Sequence, residues 1–166
     1  MRRPLGLLTV AAALATFAAP VSTAQAATAS SSAARVGTAP ENMVVRLVNA
    51  RRAKKKGCRA LKHHPQLHRA ARAHAADLAE HGYFSHTSRD GRGYIDRIKA
   101  AGYKRGGSWA ELLGKGQRTP AVAVRSWMND PGSKAAIMNC EFAYTGVGAV
   151  EDANGAIVWT QVFATK

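Results

Sequence analysis

The amino-acid sequence predicts an α+β domain. Apolar residues recur every three or four positions through much of the chain up to about residue 138, which is typical of amphipathic helices. From residue 144 onward, the segments YTGVGAV and AIVWTQVFA alternate or run apolar, which is typical of strands. The linking segment EDANG contains Asn154-Gly155, a pair that favours a hairpin turn. We therefore expect helices flanking a small antiparallel sheet.

Each helix is predicted by its own start or stop signal. The first has apolar residues at helical spacing from Val44 and ends before Gly57, and the second begins at Pro65, which suits a first helical position, and ends at Gly82. Shorter helices are predicted over residues 94–101, from Thr119-Pro120 to Trp127, and over residues 131–138, with Ile95 and Ile98 pointing inward in the first of these.

Four histidines are interpreted from their positions in these helices. His74 lies on the apolar stripe of the second helix, so a hydrogen-bonded core histidine is favoured over a ligand. His64 precedes Pro65 and is interpreted as a helix-start residue. His68 and His81 are expected to face solvent.

The first 26 residues have the features of an export signal. Arg2 and Arg3 precede an apolar stretch over residues 5–19, and Ala24-Gln25-Ala26 supplies a cleavage pattern. The apolar stretch is shorter than the roughly 20 residues of a membrane-spanning helix. We expect a signal peptide over residues 1–26, a disordered Ala/Ser/Thr-rich leader over residues 27–40, and one domain over residues 41–166, which makes the protein secreted and without a membrane span in its mature form.

The chain is strongly basic, with 24 Lys and Arg against 10 Asp and Glu. Two of the basic residues and none of the acids lie in the predicted signal, which leaves a formal charge of +12. Such a charge favours anionic partners through salt-sensitive binding, although it is also compatible with a basic surface that only confers solubility. The densest run is Arg51, Arg52, Lys54, Lys55 and Lys56. Because no aromatic residue interrupts this run, sequence-specific nucleic-acid binding is not expected.

Cys58 and Cys140 are the two cysteines of the chain. In an oxidising compartment such a pair favours a disulfide, which would close a loop of about eighty residues and stabilise the fold by roughly 4 to 5 kcal/mol. A catalytic thiol or a zinc site is the weaker alternative, since nothing in the sequence activates either thiol and two ligands do not complete a zinc site.

Six segments in one order resemble the CAP superfamily of secreted proteins, which includes cysteine-rich secretory proteins, antigen-five allergens and pathogenesis-related plant proteins, and particularly its bacterial branch. The segments are LVNARR, AHAADLAEHGYFSHTSRDGRG, DRIKAAGY, WMNDPGSKAAIMN, TGVGAV and VWTQVFA. The resemblance implies a three-layer α-β-α sandwich and a Cys58–Cys140 bridge like that of bacterial members.

The resemblance also implies a cleft in which two histidines and two acids meet. His86 matches the first histidine, Glu111 and Asp130 match the acids, and Ser133 stands where family members carry the second histidine. A serine hydroxyl is a poor replacement for an imidazole ligand. We therefore predict that His86 and Glu111 form at most a weak divalent-metal site, and that His86 is a hydrogen-bonding element of the cleft paired with Glu111 or Asp130.

Three functions are compatible with these observations. The favoured one is a monomeric, non-catalytic secreted module that binds a lipid, a glycan or a cell-wall polymer. A cleft-based hydrolase is an alternative, because His86, Asp130 and Ser133 are the residue types of a serine triad, but the Gly-x-Ser-x-Gly turn and an oxyanion hole are missing. A cationic protein that binds polyanions without specificity is the third.

Overall fold

The computed structural model describes residues 36–166. The predicted signal and the leader as far as residue 35 lie outside the described residues. The first helix, α1, spans Ala39–Arg52, so it begins inside the segment that we expected to be a leader. Thr38 is its N-cap, and the Thr38 backbone N–H donates to Oε2 of Glu41 over 2.6 Å, which satisfies one of the unpaired donors at the helix start.

Four further helices and four strands follow. The helices are α2 (Pro65–His81), α3 (Tyr94–Ala100), α4 (Pro120–Asn129) and α5 (Pro131–Ile137). The strands are β1 (Lys62–His63), β2 (Trp109–Lys115), β3 (Tyr144–Glu151) and β4 (Ile157–Ala164). All five predicted helices and the β3–β4 hairpin are confirmed, whereas β1 and β2 were not predicted.

The four strands form one sheet in the order β1-β3-β4-β2. β4 pairs antiparallel with both β3 and β2, and the two-residue β1 pairs parallel with β3. We had expected an antiparallel sheet. The pairing of β1 with β3 is parallel, so the sheet is mixed. β2 lies at one edge, so its outer side is not paired with another described strand.

Helices cover both faces of the sheet, which confirms the α-β-α sandwich. Alternate residues of β4 point to opposite faces. Trp159 and Phe163 pack with α1, α4 and α5 on one face, and Val158 and Val162 pack with α2 and α3 on the other. Each face thus buries its own apolar core.

Two glycines of β3 allow α2 to lie directly against the sheet. A Cβ atom added to Gly146 would lie 2.0 Å from the carbonyl carbon of Leu67, and one added to Gly148 would lie 2.5 Å from Cα of Arg72. Both obstructing atoms belong to the backbone of α2, so a side chain could not simply rotate away. The TGVGAV segment therefore sets the distance between the helix and the sheet.

A fully buried carboxylate, Glu41, connects α1 to α2 and to β3. Arg72 Nη1 donates to Oε1 over 2.6 Å, the Ala149 N–H donates to the same oxygen over 3.0 Å, and His68 Nε2 lies 3.1 Å from Oε2. Burial raises the pKa of the Glu41 carboxyl, but these bonds and the one from Thr38 outweigh burial and lower it to about 2. The buried charge is therefore fully paired.

The histidine predictions are confirmed except for one. His74 is buried, His81 is exposed, and Nδ1 of His64, the N-cap of α2, accepts from the Gln66 N–H. The solvent-facing assignment of His68 was wrong, because its ring is mostly buried against Glu41.

The disulfide between Cys58 and Cys140 is confirmed, with 4.7 Å between the two Cα atoms. Close to it, Arg52 is fully buried, which corrects its assignment to the basic surface run. Its guanidinium donates to the carbonyl oxygens of Arg59, Ile137, Asn139 and Phe142. Arg52 is thus a structural residue that holds the region after α5 against the end of α1, and the other four residues of the run are exposed.

Replacing Gly148 with alanine should destabilise the fold, because the new methyl group would overlap the backbone of α2. We expect Gly148→Ala to lower the free energy of unfolding by at least about 2 kcal/mol in urea denaturation. Gly107→Ala is the matched control, since no atom of residues 36–166 lies within 4 Å of a Cβ added there, and it should change stability by less than about 0.5 kcal/mol. Equal effects of the two substitutions would contradict the close-packing argument.

Stability should fall in acid through protonation of Glu41. The pKa of its carboxyl in the folded state is lowered from 4.5 to about 2, so the stabilisation is present above about pH 4.5 and is lost as the pH falls toward 2. Glu41→Gln should remove the pH-dependent stabilisation by the Glu41 carboxylate, which is on the order of 3 kcal/mol. The free energy of unfolding of the variant at neutral pH should therefore fall toward that of the native chain in acid. Urea denaturation at several pH values tests this, with the exposed Glu80→Gln as control.

Candidate functional site

The candidate site is a cleft of about 470 Å³ that lies over the edge strand β2. All four residues singled out from the sequence line it, namely His86, Glu111, Asp130 and Ser133. Three separate parts of the fold supply them. Glu111 is in the middle of β2, His86 is in the loop that follows α2, and Asp130 and Ser133 lie at the start of α5.

His86 and Glu111 form a hydrogen bond at the floor of the cleft. Nδ1 of His86 lies 2.9 Å from Oε1 of Glu111, and because a carboxylate can only accept, Nδ1 carries the proton. In a neutral imidazole Nε2 is then an acceptor. The Glu111 side chain is buried, whereas 57% of the His86 side chain is exposed. The buried carboxylate therefore orients the His86 ring, which remains accessible from the cleft.

Arg97 of α3 neutralises the buried Glu111 carboxylate. Its Nη2 donates to Oε1 over 2.9 Å and to Oε2 over 2.7 Å. Its Nη1 donates to the backbone oxygens of His86 and Arg92 and to Oγ of Ser88. Arg97 therefore holds both the carboxylate and the loop that carries His86.

Arg97 was not assigned a role from the sequence, in which only Ile95 and Ile98 were expected to point inward from this helix. Within α3, Ile98 is fully buried as expected, but the other inward residue is Arg97, and Ile95 is only partly buried. The available signal was Glu111 itself, since an acid in an apolar strand segment requires a cationic partner.

His74 lies behind the Glu111 carboxylate, with Nε2 at 3.9 Å from Oε1. This nitrogen is also 2.9 Å from the backbone oxygen of Ser85, so it is the protonated one in a neutral ring. Burial lowers the pKa of His74, and the nearby Arg97 charge lowers it further, against the opposing effect of Glu111. The neutral form of His74 is thus favoured.

Asp130 and Ser133 form the helix cap of α5. Oδ1 of Asp130 accepts from the Ser133 backbone N–H over 2.7 Å, and this bond lowers the pKa of Asp130. Because His86 bonds to Glu111 instead, no Ser–His–Asp chain of hydrogen bonds joins these residues within the described part of the protein.

The residues of the cleft do not fit a metal ion well. Within residues 36–166, no three His, Cys, Asp or Glu side chains are grouped as a metal site requires. Both oxygens of Glu111 already accept from the Arg97 guanidinium, which a metal ion would have to displace. We therefore assign no metal-dependent chemistry to the cleft.

Three aromatic residues also line the cleft, and no binding role was predicted for them from the sequence. They are Phe84, Tyr94 and Trp109. Phe84 is 53% exposed, which is unusual for a large apolar side chain in this protein. The Lys99 ammonium lies 5.9 Å from the centre of the Trp109 ring. Aromatic and polar groups are thus presented together on one concave surface.

Comparison with known proteins identifies the chain's relatives. Residues 45–163 match the family model described as the cysteine-rich secretory protein family, CAP. Protein YkwD of Bacillus subtilis is 37% identical over 146 residues, which are 87% of this chain and 54% of YkwD. The chain therefore spans about half the length of this relative.

Solved structures share the fold. An extracellular protein of Bacillus anthracis that contains an SCP domain has a TM-score of 0.69 at 23% identity, over 76% of this chain and 40% of that protein. An outer surface protein of Borrelia burgdorferi has a TM-score of 0.68 at 20% identity, over 75% of this chain and 91% of that protein.

Among the helices within residues 36–166, none has the length and apolar character that a membrane-spanning helix needs.

Zinc affinity should increase when the missing imidazole is supplied. We expect weak Zn²⁺ binding by the native chain, because Ser133 offers only a hydroxyl, and at least about tenfold tighter binding by Ser133→His. His86→Ala in that background should abolish the gain. Calorimetry on the three chelator-treated proteins tests this. Tight binding by the native chain, or no gain from Ser133→His, would contradict our account of the cleft.

Proposed function

The chain belongs to the cysteine-rich secretory protein (CAP) family, and on that premise we propose that it is an extracellular, non-catalytic module whose cleft binds a glycan of the cell wall. Extracellular placement is supported by the predicted export signal, by the Cys58–Cys140 disulfide, and by the extracellular SCP-domain protein of the same fold. The glycan is inferred from the cleft.

The observation that carries the proposal is the exposed aromatic ring of Phe84 beside the His86–Glu111 pair. Sugar rings have apolar C–H faces and polar hydroxyl edges, so they are suited to a surface on which aromatic faces and hydrogen-bonding groups alternate. Phe84, Tyr94 and Trp109 supply the faces. Nε2 of His86 and the Ser133 hydroxyl supply hydrogen bonds for the edges.

A lipid chain is less suited to the same cleft. The lining includes the exposed imidazole of His86, the Ser133 hydroxyl and the carboxylate of Asp130. A hydrocarbon chain would desolvate these groups without replacing their hydrogen bonds to water. A hydroxylated ligand replaces those bonds. This difference favours a glycan over a fatty chain.

A hydrolase is also less well supported. Glycoside hydrolysis needs one carboxyl group to exchange a proton with the substrate and a second to act as base or nucleophile. Here Glu111 accepts from Arg97 through both oxygens, and Asp130 accepts the backbone N–H that caps α5. The two carboxylates are thus used in holding the structure together.

Substitution of Phe84 should weaken glycan binding without affecting the fold, because the ring is more than half exposed. We expect Phe84→Ala to reduce affinity for an N-acetylglucosamine oligosaccharide by about tenfold in calorimetry, and to reduce retention on purified peptidoglycan. Val122→Ala is the matched control, since Val122 is also an exposed apolar residue but lies on α4 outside the cleft.

Two outcomes would replace the proposal. The first is that Phe84→Ala leaves binding unchanged, while binding falls steeply with salt and is lost when Lys54, Lys55 and Lys56 are neutralised. This result would indicate a non-specific polyanion binder. Cleavage of the oligosaccharide that is abolished by His86→Ala would indicate a hydrolase.

A further inference from the structure

The region around the disulfide carries a strongly basic surface. Residues 51–62 contain seven Lys and Arg and no Asp or Glu. Arg52 is buried, and the other six are exposed. Lys166 is also exposed and lines the same cavity as Arg59 and Lys62. We call these seven exposed residues the basic surface, which comprises Arg51, Lys54, Lys55, Lys56, Arg59, Lys62 and Lys166.

The lysine run of this surface lies beside the cavity. The Cys58 N–H donates to the carbonyl oxygen of Lys55 over 3.1 Å, and Cys58 is bonded to Cys140, which lines the cavity. Nζ of Lys55 donates to the carbonyl oxygen of Met138 over 3.2 Å. The turn after α1 is therefore fixed against the segment after α5, and its lysines are brought next to the cavity.

The cavity, which we call the disulfide cavity, has a volume of about 370 Å³. Arg59, Lys62 and Lys166 line it together with one acid, Glu141, and it shares no lining residue with the cleft. The basic surface thus carries seven positive charges beside the single charge of Glu141. Counting the α-carboxylate of Lys166 as a second negative charge still leaves a formal charge of 7 − 2 = +5.

These charges are not balanced within the protein. No residue of the basic surface forms an ion pair within residues 36–166. The dipole of α1 favours cations in its last turn, where Arg51 lies, but Arg59, Lys62 and Lys166 lie beyond that helix. Like charges placed so close together repel one another, so a partner with several negative charges would relieve this repulsion.

We propose that the basic surface binds a linear polyanion, a flexible polymer with an anionic group on each repeat, and that part of the polymer lies in the disulfide cavity. Five of the seven residues are lysines, whose ammonium groups act as compact point charges without the planar geometry of a guanidinium. The polymer is therefore recognised by its density of charge. This inference goes beyond glycan binding in the cleft and does not depend on it.

An anionic membrane is a less suitable partner for this surface. Three of the seven charges line a concavity, which the chain of a polymer can enter and a flat bilayer cannot. Helices that bind at a membrane surface also insert apolar side chains. The large apolar side chains that are exposed within residues 36–166 are those of Met43, Phe84 and Val122, and none of them belongs to the basic surface.

The test is calorimetry of the full chain with long-chain inorganic polyphosphate at several salt concentrations. One variant combines Lys54→Gln with Lys56→Gln in the run, and another combines Arg59→Gln with Lys62→Gln in the cavity. Each should weaken binding at low salt by at least about tenfold and reduce the slope of log K against log salt by about 1.4, because two contacts that release counterions are lost.

The matched control combines Arg118→Gln with Arg125→Gln. Both arginines are exposed and lie outside the basic surface, and the control changes the net charge by the same amount. It should bind polyphosphate nearly as the native chain does. An equal loss in the control would overturn the proposal, because overall charge would then explain the binding. Native affinity in either paired variant would also overturn it, since the proposal requires both the run and the cavity.

Two further titrations identify the source of the negative charge. Polyglutamate represents a carboxylate polymer, and its affinity relative to polyphosphate names the preferred anionic group. Phosphatidylcholine vesicles containing phosphatidic acid represent a membrane, and tighter binding to them than to either polymer would overturn the proposal. Binding of the uncharged N-acetylglucosamine oligosaccharide should be unchanged in both paired variants, and polyphosphate binding should be unchanged in Phe84→Ala. The two proposals can therefore fail separately.

Discussion

The ion pair between Glu111 and Arg97 determines how the functional region is arranged. Glu111 lies on the edge strand β2 and Arg97 on α3, and both side chains are almost completely buried. A buried carboxylate without a partner is strongly destabilising, so α3 must approach the strand closely enough for the pair to form. Nη1 of Arg97 donates to the backbone oxygens of His86 and Arg92, in the loop over residues 86–92. One interaction thus places the strand, the helix and the loop that carries His86.

The same pair separates two cavities of different chemistry. On one side, Glu111 orients the exposed ring of His86 within an aromatic cleft. On the other side, Arg97 and His74 line a second cavity, which three further arginines and two aspartates also line. Arg97 lines this second cavity, and its guanidinium also holds Glu111 at the floor of the cleft. The two cavities are therefore adjacent.

Glu41 shows the same principle among α1, α2 and β3. It is fully buried, and its four partners come from the start of α1, from α2 and from β3. Arg52, also buried, is satisfied by four carbonyl oxygens instead. Each of these buried charges is hydrogen-bonded by groups from several elements. Its hydrogen bonds therefore form only when those elements are packed together as in the folded protein.

The sequence by itself determined the five helices, the β3–β4 hairpin and the cysteine pair, because periodicity, caps and turn residues act over a few neighbouring positions and a lone pair of cysteines has one pairing. It also indicated His86, Glu111, Asp130 and Ser133 through family resemblance, and the structure brings them to one cleft. Only the tertiary structure decided that residues 109–115 form a strand with the buried Glu111 in it, and that Arg52 and Arg97 are buried. It also decided that His68 bonds to the buried Glu41 carboxylate. Burial of a charge depends on partners that are distant in the sequence, such as the carbonyl of Ile137 that lies 85 positions from Arg52, and no local pattern contains that information.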